Sequence, residues 1–412
     1  MTEYGLIGEK LGHSFSKDIH SLIAGYEYNL IELSPEELPA FLTEKNFKGV
    51  NVTIPYKHSV IPFLDEITPQ ARAIGAVNCI RNMEGKLIGH NTDFDGLKAL
   101  LDHAGIDAYG KKALIAGTGG TSDTAAAVLR ALNAAEVVKL SRNRKEGAVT
   151  YSDAYLRHGD GEIIINTTPS GMYPGAFESP LELDKFSHLE GVVDVIYNPL
   201  RSRLVSEAAK RKLRSEGGLY MLVVQAVKAS EFFLSKEYPE ETCGEIYKKI
   251  YNEKCNIVLT GMPSCGKTTI GNILAEKLGR KLIDTDDMVV KNCGMKITDI
   301  FLKYGEKYFR DAESQVIREA SLQSGIIIST GGGTVLREEN VDALRLNGRI
   351  FFIDRKPELL TPTADRPTAA DMEQIEKRYH ERYRIYTDTA DFIVENNGNA
   401  DEAAAKIAEE LR

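Results

Sequence analysis

Between the apolar run Ile257-Val258-Leu259 and a helix-periodic stretch that begins at Thr268 stands Gly261-Met262-Pro263-Ser264-Cys265-Gly266-Lys267-Thr268, which fits the G-x-x-x-x-G-K-T pattern. A strand must end and a helix must start around such a loop, so this part of the chain is committed to an α/β core. The loop's backbone N–H groups would surround phosphate oxygens, Lys267 would reach the β/γ oxygens, and the Thr268 hydroxyl would ligate Mg²⁺. Gly261, Ser264, Cys265, Gly266, Lys267, Thr268 and Thr269 are therefore candidate ATP-binding residues, with Lys267 also acting on the transferring group. Ile270, Ile273, Leu274 and Leu278 share one helical face, and Gly279 supplies a stop. An ordinary glycine turn is the plainer alternative, and the flanking strand and helix weigh against it.

With 412 residues the chain exceeds what one hydrophobic core normally serves, which predicts roughly two to four domains. A net charge of −9 leaves no broad basic surface, so nucleic-acid binding is not expected. The cysteines 79, 243, 255, 265 and 293 are scattered without a C-x-x-C pair, which suggests neither a disulfide framework nor a zinc site and fits a reducing compartment. Met1-Thr2-Glu3-Tyr4 leads straight into a strand-like segment, and no apolar run is long enough to span a membrane. The expectation is a soluble cytoplasmic protein without membrane contact, with homo-oligomerisation left open.

β-rich runs alternate with helical patterns throughout, at 49–54, 113–116, 137–140, 163–165, 192–195, 257–259, 326–328 and 350–353, which predicts parallel α/β sheets. The polar segment Ser235 to Lys254, with Pro239 and paired acids and lysines, reads as a boundary, either a free linker or a helix packed against both halves, and a second seam falls near Asp107 to Lys112.

After that second seam, Ala116-Gly117-Thr118-Gly119-Gly120-Thr121-Ser122 leaves a strand and enters the helical run Thr124 to Leu132, a dinucleotide-binding signal. The next strand ends Leu140-Ser141-Arg142-Asn143-Arg144-Lys145, where an NAD enzyme would carry an acid for the ribose hydroxyl. Basic residues there favour a 2′-phosphate, hence NADP(H); alone, they would read as a solvated turn. Upstream lie Gly12-His13-Ser14-Phe15-Ser16, Asn51-Val52-Thr53-Ile54-Pro55-Tyr56-Lys57, Gly75-Ala76-Val77-Asn78 and Asn91-Thr92-Asp93-Phe94-Asp95-Gly96. Singly, Lys57 is a surface lysine and Asp93 a helix N-cap.

Together these clusters resemble shikimate dehydrogenase from Tyr4 to about Phe233, joined by Asn166-Thr167-Thr168-Pro169-Ser170-Gly171-Met172, Asp194-Val195-Ile196-Tyr197-Asn198-Pro199 and Gly218-Leu219-Tyr220-Met221-Leu222-Val223-Val224-Gln225. The resemblance implies that Ser14 and Ser16 bind the substrate carboxylate, that Thr53, Asn78 and Gln225 bind its hydroxyls, that Tyr197 also belongs to the substrate site, and that Lys57 and Asp93 are the catalytic pair. It places Gly117, Gly119, Gly120, Ser141, Arg142 and Asn143 on the cofactor, and Gly218 and Met221 beside the nicotinamide. The chemistry agrees: a lysine ammonium held by a carboxylate can give a proton to a ketone oxygen while hydride reaches carbon. Three residues depart from the family pattern: Lys17, Ser21 and Asp123. Asp123 stands where arginine often follows the glycine loop, and its carboxylate opposes a pyrophosphate unless it faces away.

Behind the phosphate loop, Lys281-Leu282-Ile283-Asp284-Thr285-Asp286 ends a strand in two carboxylates, one able to face Mg²⁺ and the other an acceptor hydroxyl. Gly305-Glu306-Lys307-Tyr308-Phe309-Arg310-Asp311-Ala312-Glu313 opens a helix in which Arg310 and Glu313 could simply pair, and Ser329-Thr330-Gly331-Gly332-Gly333 lets backbone approach a ligand. With Asp365-Arg366-Pro367 and Glu381-Arg382-Tyr383-Arg384-Ile385-Tyr386 this order resembles shikimate kinase from about Asn256 onward. The resemblance implies that Asp286, Arg310, Gly332 and Arg382 hold shikimate, that Asp286 is also the candidate base, that Arg366 covers the phosphoryl group, and that Thr268 and Asp284 serve the metal. Ser264 departs from the usual loop glycine, Leu359-Leu360 stands near the usual place of an adenine-stacking arginine, and the lid Thr361 to Asp371 is short.

The expected architecture is thus an α/β chain: a substrate-binding domain over 1–106 with 219–238 packing back on it, a Rossmann-like NADP domain over 107–218, a linker over 239–253, and a P-loop kinase domain with a parallel sheet over 254–412. The expected function is reduction of 3-dehydroshikimate to shikimate and phosphorylation of shikimate with MgATP, within chorismate biosynthesis. The rival readings are a regulator built from decayed domains, and an enzyme for quinate or a gluconate-type substrate.

Overall fold

The computed structural model describes residues 3–12, 14–361 and 372–411, so His13 and Arg366 lie outside the described residues. The chain forms two compact units, Met1–Tyr251 and Asn252–Arg412.

The first unit opens with β1 (Tyr4–Gly8), α1 (Ser16–Ile23), β2 (Tyr28–Glu32), α2 (Leu38–Glu44), β3 (Gly49–Val52), β4 (Glu66–Ile67), α3 (Pro69–Ile74), β5 (Cys79–Met83), β6 (Lys86–His90) and α4 (Asp93–His103). Its six strands lie in the order β2-β1-β3-β5-β6-β4. The sheet is mixed rather than purely parallel, because β5 runs antiparallel to both β3 and β6. The cause is local: Glu84 and Gly85 both have positive φ, 53° and 89°, which suits a tight hairpin turn between two strands. Leu38, Leu42, Val50, Val52, Ile80 and Leu87 pack into one buried cluster.

A second sheet follows in the same unit, made of β7 (Lys112–Ala116), α5 (Gly120–Ala131), β8 (Glu136–Ser141), β9 (Val149–Thr150), α6 (Tyr151–Arg157), β10 (Ile163–Asn166), β11 (Gly191–Asp194), α7 (Arg203–Lys210) and β12 (Arg214–Glu216). Its order is β12-β11-β10-β7-β8-β9 and every pairing is parallel. The strand order reverses beside β7, the position at which open α/β sheets leave a crevice for a ligand outside the strand ends. The glycine loop 117–120 sits there. Then α8 (Leu219–Leu234) returns to the first sheet, where Phe233 joins the buried cluster of Tyr4, Leu6 and Tyr28.

The stretch 239–253, expected as a linker, contains the helix α9 (Glu241–Lys254). Ile246 and Ile250, four apart, are buried, and the Tyr247 ring meets His103 and Tyr220 edge-on. The paired acids and lysines of this segment are its exposed face, and they masked a short apolar stripe.

The second unit runs β13 (Asn256–Thr260), α10 (Lys267–Leu278), β14 (Leu282–Asp284), α11 (Thr285–Cys293), α12 (Ile297–Ser321), β15 (Ile327–Ser329), α13 (Glu338–Asn347), β16 (Gly348–Asp354), α14 (Met372–Thr389), β17 (Phe392–Glu395) and α15 (Ala400–Glu409). The sheet order β14-β15-β13-β16-β17 is wholly parallel and puts β13, buried along its length, at the centre. Gly305 interrupts α12 with φ 81° and ψ 173°, so the helix bearing Arg310 restarts just before it. Among the described residues, no helix is long and apolar enough to cross a membrane.

Candidate active sites

Lys57 lies in the turn that follows β3, and Asp93 is the first residue of α4. Their side chains meet, Lys57 Nζ donating to Asp93 Oδ2 at 2.6 Å, with only 13% and 8% of the two side chains exposed. Burial of that degree takes the pair out of the surface-lysine and N-cap alternatives, since an ammonium is desolvated only against a partner. A second acceptor is Thr121 Oγ1 at 3.0 Å, a residue of the glycine-loop helix that sequence reasoning did not single out. Asn78, buried, holds the entrance of α4: its Oδ1 accepts from Thr92 N at 2.7 Å.

Ser14, Ser16 and Tyr197 come together. The Ser14 hydroxyl donates to Ser16 Oγ at 3.1 Å and accepts from Ser16 N at 3.2 Å. The Tyr197 phenol hydrogen-bonds Ser14, burial pushes its pKa up, and its ring packs 5.2 Å from that of Phe15. Thr53 is half-buried at the end of β3, and Gln225 on α8 is buried with its amide nitrogen on Leu222 O at 2.8 Å. Met221, one turn before Gln225, is buried against α4, and Gly218 starts α8 with its N–H on Ile196 O at 2.8 Å.

Gly117 takes φ +117°, and a Cβ there would come within 2.4 Å of Thr167 Oγ1. At Gly119 a Cβ would meet nothing within 4 Å, so the loop's outer side is open where a pyrophosphate would lie against the start of α5. Ser141 ends β8, and Arg142, Asn143 and Arg144 beyond it are exposed. Lys145 reaches back over the loop to Thr118 Oγ1 at 3.1 Å. The Asp123 carboxylate pairs with Lys139 Nζ at 2.5 Å, which offsets its charge beside the loop, and lies 3.1 Å from His58 Nε2.

One carboxylate props the neighbouring strand ends. Asp194, fully buried, accepts from Asn166 Nδ2 at 3.0 Å, Ser202 Oγ at 2.6 Å and Ile196 N at 3.0 Å. Burial raises its pKa to about 6 against the lowering pull of Ser202, Asn166 and the Ile196 N–H.

In the second unit Gly261, Ser264 and Gly266 all have positive φ, 142°, 64° and 99°, which bends the loop over the start of α10. Ser264 thus holds the conformation normally given to glycine, and its hydroxyl donates to Thr361 O at 2.9 Å. Lys267 donates to Gly261 O at 3.0 Å and Met262 O at 2.9 Å, while Cys265 is buried with its thiol 3.7 Å from the same ammonium. Thr268 Oγ1 donates to Asp284 Oδ2 at 3.0 Å, Ser329 Oγ donates to the same oxygen at 3.1 Å, and Thr269 follows on α10. That all-oxygen set suits a hard divalent cation that keeps several waters. Ser329 was not expected there; its place at the end of β15, next to β14, was the available signal. Asp284 Oδ1 also caps α11 through Asp286 N at 3.0 Å.

The glycine turn after β15 gathers the remaining residues. A Cβ at Gly331 would sit 2.6 Å from Asp286 Oδ1 and 2.7 Å from Glu313 Oε1; one at Gly333 would sit 2.2 Å from Arg310 Nη1. Gly332 O accepts from Arg382 Nη1 at 3.2 Å and from the Tyr386 hydroxyl. Arg310 pairs with the buried Glu313 at 2.7 Å, so the intrahelical pair exists, and Glu313 in turn accepts from Thr334 Oγ1 at 2.9 Å. The pair therefore aims the guanidinium at the turn. Asp286, Arg310, Gly332 and Arg382 are thus assembled about one backbone bend; Arg366 lies outside the described residues.

Comparison with known proteins gives two family matches: "Shikimate dehydrogenase substrate binding domain" over residues 6–80 and "Shikimate kinase" over residues 263–412. An NADP(+) shikimate dehydrogenase of Clostridium perfringens is 34% identical over 267 residues, 61% of this chain and 98% of that protein. A solved shikimate dehydrogenase of Peptoclostridium difficile shares 34% identity with a TM-score of 0.57, covering 61% of this chain and 98% of its own. That of Thermus thermophilus, solved with NADP(H) and shikimate, shares 28% with a TM-score of 0.54, covering 60% and 99%.

Proposed function

We infer, from the premise that this chain belongs to the shikimate dehydrogenase family and continues into a shikimate kinase domain, that it performs two successive reactions. It reduces 3-dehydroshikimate to shikimate with NADPH, then phosphorylates shikimate to shikimate 3-phosphate with MgATP. The division of labour is 1–106 with 219–238 for the first substrate, 107–218 for NADP(H) and 254–412 for the kinase.

The Lys57–Asp93 pair carries the reading, because a buried ammonium fixed by a carboxylate beside a dinucleotide loop is a proton donor in position. NADPH, when bound, supplies the hydride. As the carbonyl carbon takes that pair of electrons, the C=O π electrons move to oxygen and Lys57 Nζ gives that oxygen its proton. Asp93 keeps Lys57 oriented, Ser14, Ser16 and Tyr197 bind the ring carboxylate, and Thr53, Asn78 and Gln225 bind its hydroxyls. Gly117, Gly119 and Gly120 take the pyrophosphate, with Ser141, Arg142 and Asn143 on the 2′-phosphate.

MgATP, when bound, supplies the phosphoryl group. The Gly261–Thr269 loop binds its phosphates, for which Lys267 exchanges its bonds to the loop carbonyls, and Thr268 with Asp284 holds the metal. Asp286 takes the proton of the attacking hydroxyl, while Arg310 and Arg382 grip the shikimate carboxylate against Gly332. Arg366 covers the phosphoryl group. The enzyme works in the cytoplasm on small molecules.

The test is two separate assays on the full chain: NADPH consumption with 3-dehydroshikimate, and ADP release with shikimate. Both should turn over. A chain that binds the ligands and turns over neither is the regulator, and faster turnover of quinate or gluconate than of shikimate would replace the substrate named here.

A further inference from the structure

Lysine's ammonium has three N–H donors, and a single acceptor leaves the other two free to swing about the Nζ–acceptor axis. At Lys57 two acceptors are fixed, Asp93 Oδ2 at 2.6 Å and Thr121 Oγ1 at 3.0 Å. Two fixed acceptors set the ammonium's rotation, so the third N–H has one direction only. The two acceptors stand on different helices: Asp93 begins α4, which follows β6 of the first sheet, whereas Thr121 is the second residue of α5, directly after the glycine loop of the second sheet.

The surroundings show that this contact is built. A Cβ at Gly120 would fall 3.1 Å from Lys57 Cβ and 3.5 Å from Lys57 Cδ, so the glycine preceding Thr121 lets the lysine stem lie flush on the loop. The next residue of the same turn repeats the crossing, His58 Nε2 reaching Asp123 Oδ2 at 3.1 Å on the first turn of α5. Val77 N donates to Lys57 O at 2.9 Å and fixes the backbone behind it. Consecutive residues 57 and 58 therefore dock on residues 120, 121 and 123.

We propose that Thr121 is a positioning residue for the reduction: its hydroxyl fixes the direction in which Lys57 presents its proton and ties that direction to the loop that receives the dinucleotide. The proposal rests on the reading of Lys57 as proton donor. In this role Thr121 acts through Lys57.

The experiment is a double-mutant cycle on the full chain with Lys57→Ala, Thr121→Val, Thr121→Ser and the Lys57→Ala/Thr121→Val double variant. Valine keeps the volume and removes the oxygen; serine keeps the oxygen. Loss of a hydrogen bond to a charged group corresponds to about ten-fold or more, so Thr121→Val should lower kcat for 3-dehydroshikimate by about that factor. KM for NADPH and NADPH binding should hold, Thr121→Ser should restore most of kcat, and Thr121→Val should add nothing in the Lys57→Ala background. Kinase turnover by the same preparations reports intact chain. If Lys57→Ala is inactive but Thr121→Val keeps full kcat, or if the two losses multiply, the positioning role is wrong and the proton-donor reading stands. If Lys57→Ala itself retains normal turnover, the proton-donor reading fails, and the proposal with it.

Discussion

Arg310 is aimed by two neighbours, the carboxylate of Glu313 at 2.7 Å and the bare backbone of Gly333, where a Cβ would approach Nη1 to 2.2 Å. Gly333→Ala should therefore displace the guanidinium without unfolding the turn, because the flexible end of a side chain can move away. Losing a charge-assisted bond to the shikimate carboxylate should raise the kinase KM for shikimate about ten-fold or more while leaving the reduction unchanged; steady-state kinetics of both reactions check it. Cofactor choice is argued at the same scale. Arg142 stands exposed just past β8, and Arg142→Ala should narrow the preference for NADPH over NADH by roughly ten-fold, by loss of one phosphate contact. Equal use of NADH and NADPH by the unaltered chain would contradict the assignment. Lys57 and Lys267 were legible in the sequence because each sits in a dense local motif after a strand, and Arg310 because it follows the glycine break that restarts α12. Thr121 and Ser329 were not, because what they touch is remote in the chain: Lys57 lies 64 residues from Thr121, and Asp284 lies 45 from Ser329.

At the scale of elements, α1 hangs on a buried histidine. The His20 ring stacks on Tyr28 at 3.8 Å, its Nδ1 meets the Tyr26 hydroxyl at 2.6 Å, and burial lowers its pKa from 6.5 to about 3. The unfolded chain therefore binds a proton near pH 6 that the folded chain refuses, so His20 contributes stability above pH 6.5 that is lost as pH falls toward 3. Asp194, raised to about 6, has the opposite sign: its contribution is whole below its ordinary pKa and is lost as pH rises through 6. His20→Phe keeps a stacking ring and removes the titration. Between pH 6 and pH 4 its stability relative to the unaltered chain should rise by up to about 1.4 kcal/mol per unit of acidification, read from urea unfolding followed by circular dichroism. A pH-independent difference would mean that His20 titrates alike in both states. Elements with clean periodicity, β13 with α10 and β7 with α5, were readable from sequence. The β5–β6 hairpin was not, its Glu84-Gly85 signal being overlooked between short strands, and α9 stayed open between helix and free linker because its buried stripe is only Ile246 and Ile250 within a polar segment.

For the whole molecule, each of the two units holds a parallel sheet with its own glycine loop at a strand end, Gly117–Gly120 after β7 and Gly261–Gly266 after β13. The dinucleotide and the triphosphate thus have separate receptors, and the product of one chemistry is the acceptor of the other. The order of motifs made this organisation legible, since dehydrogenase and kinase clusters do not interleave. The central claim is that one chain carries both reactions in sequence, and the most direct measurement is product analysis of a single mixture of the full chain, 3-dehydroshikimate, NADPH and MgATP. The account predicts that shikimate 3-phosphate accumulates, that its formation stops in Lys57→Ala, and that added shikimate restores it there. Accumulation of unphosphorylated shikimate in the unaltered chain, or failure of added shikimate to rescue Lys57→Ala, would contradict it.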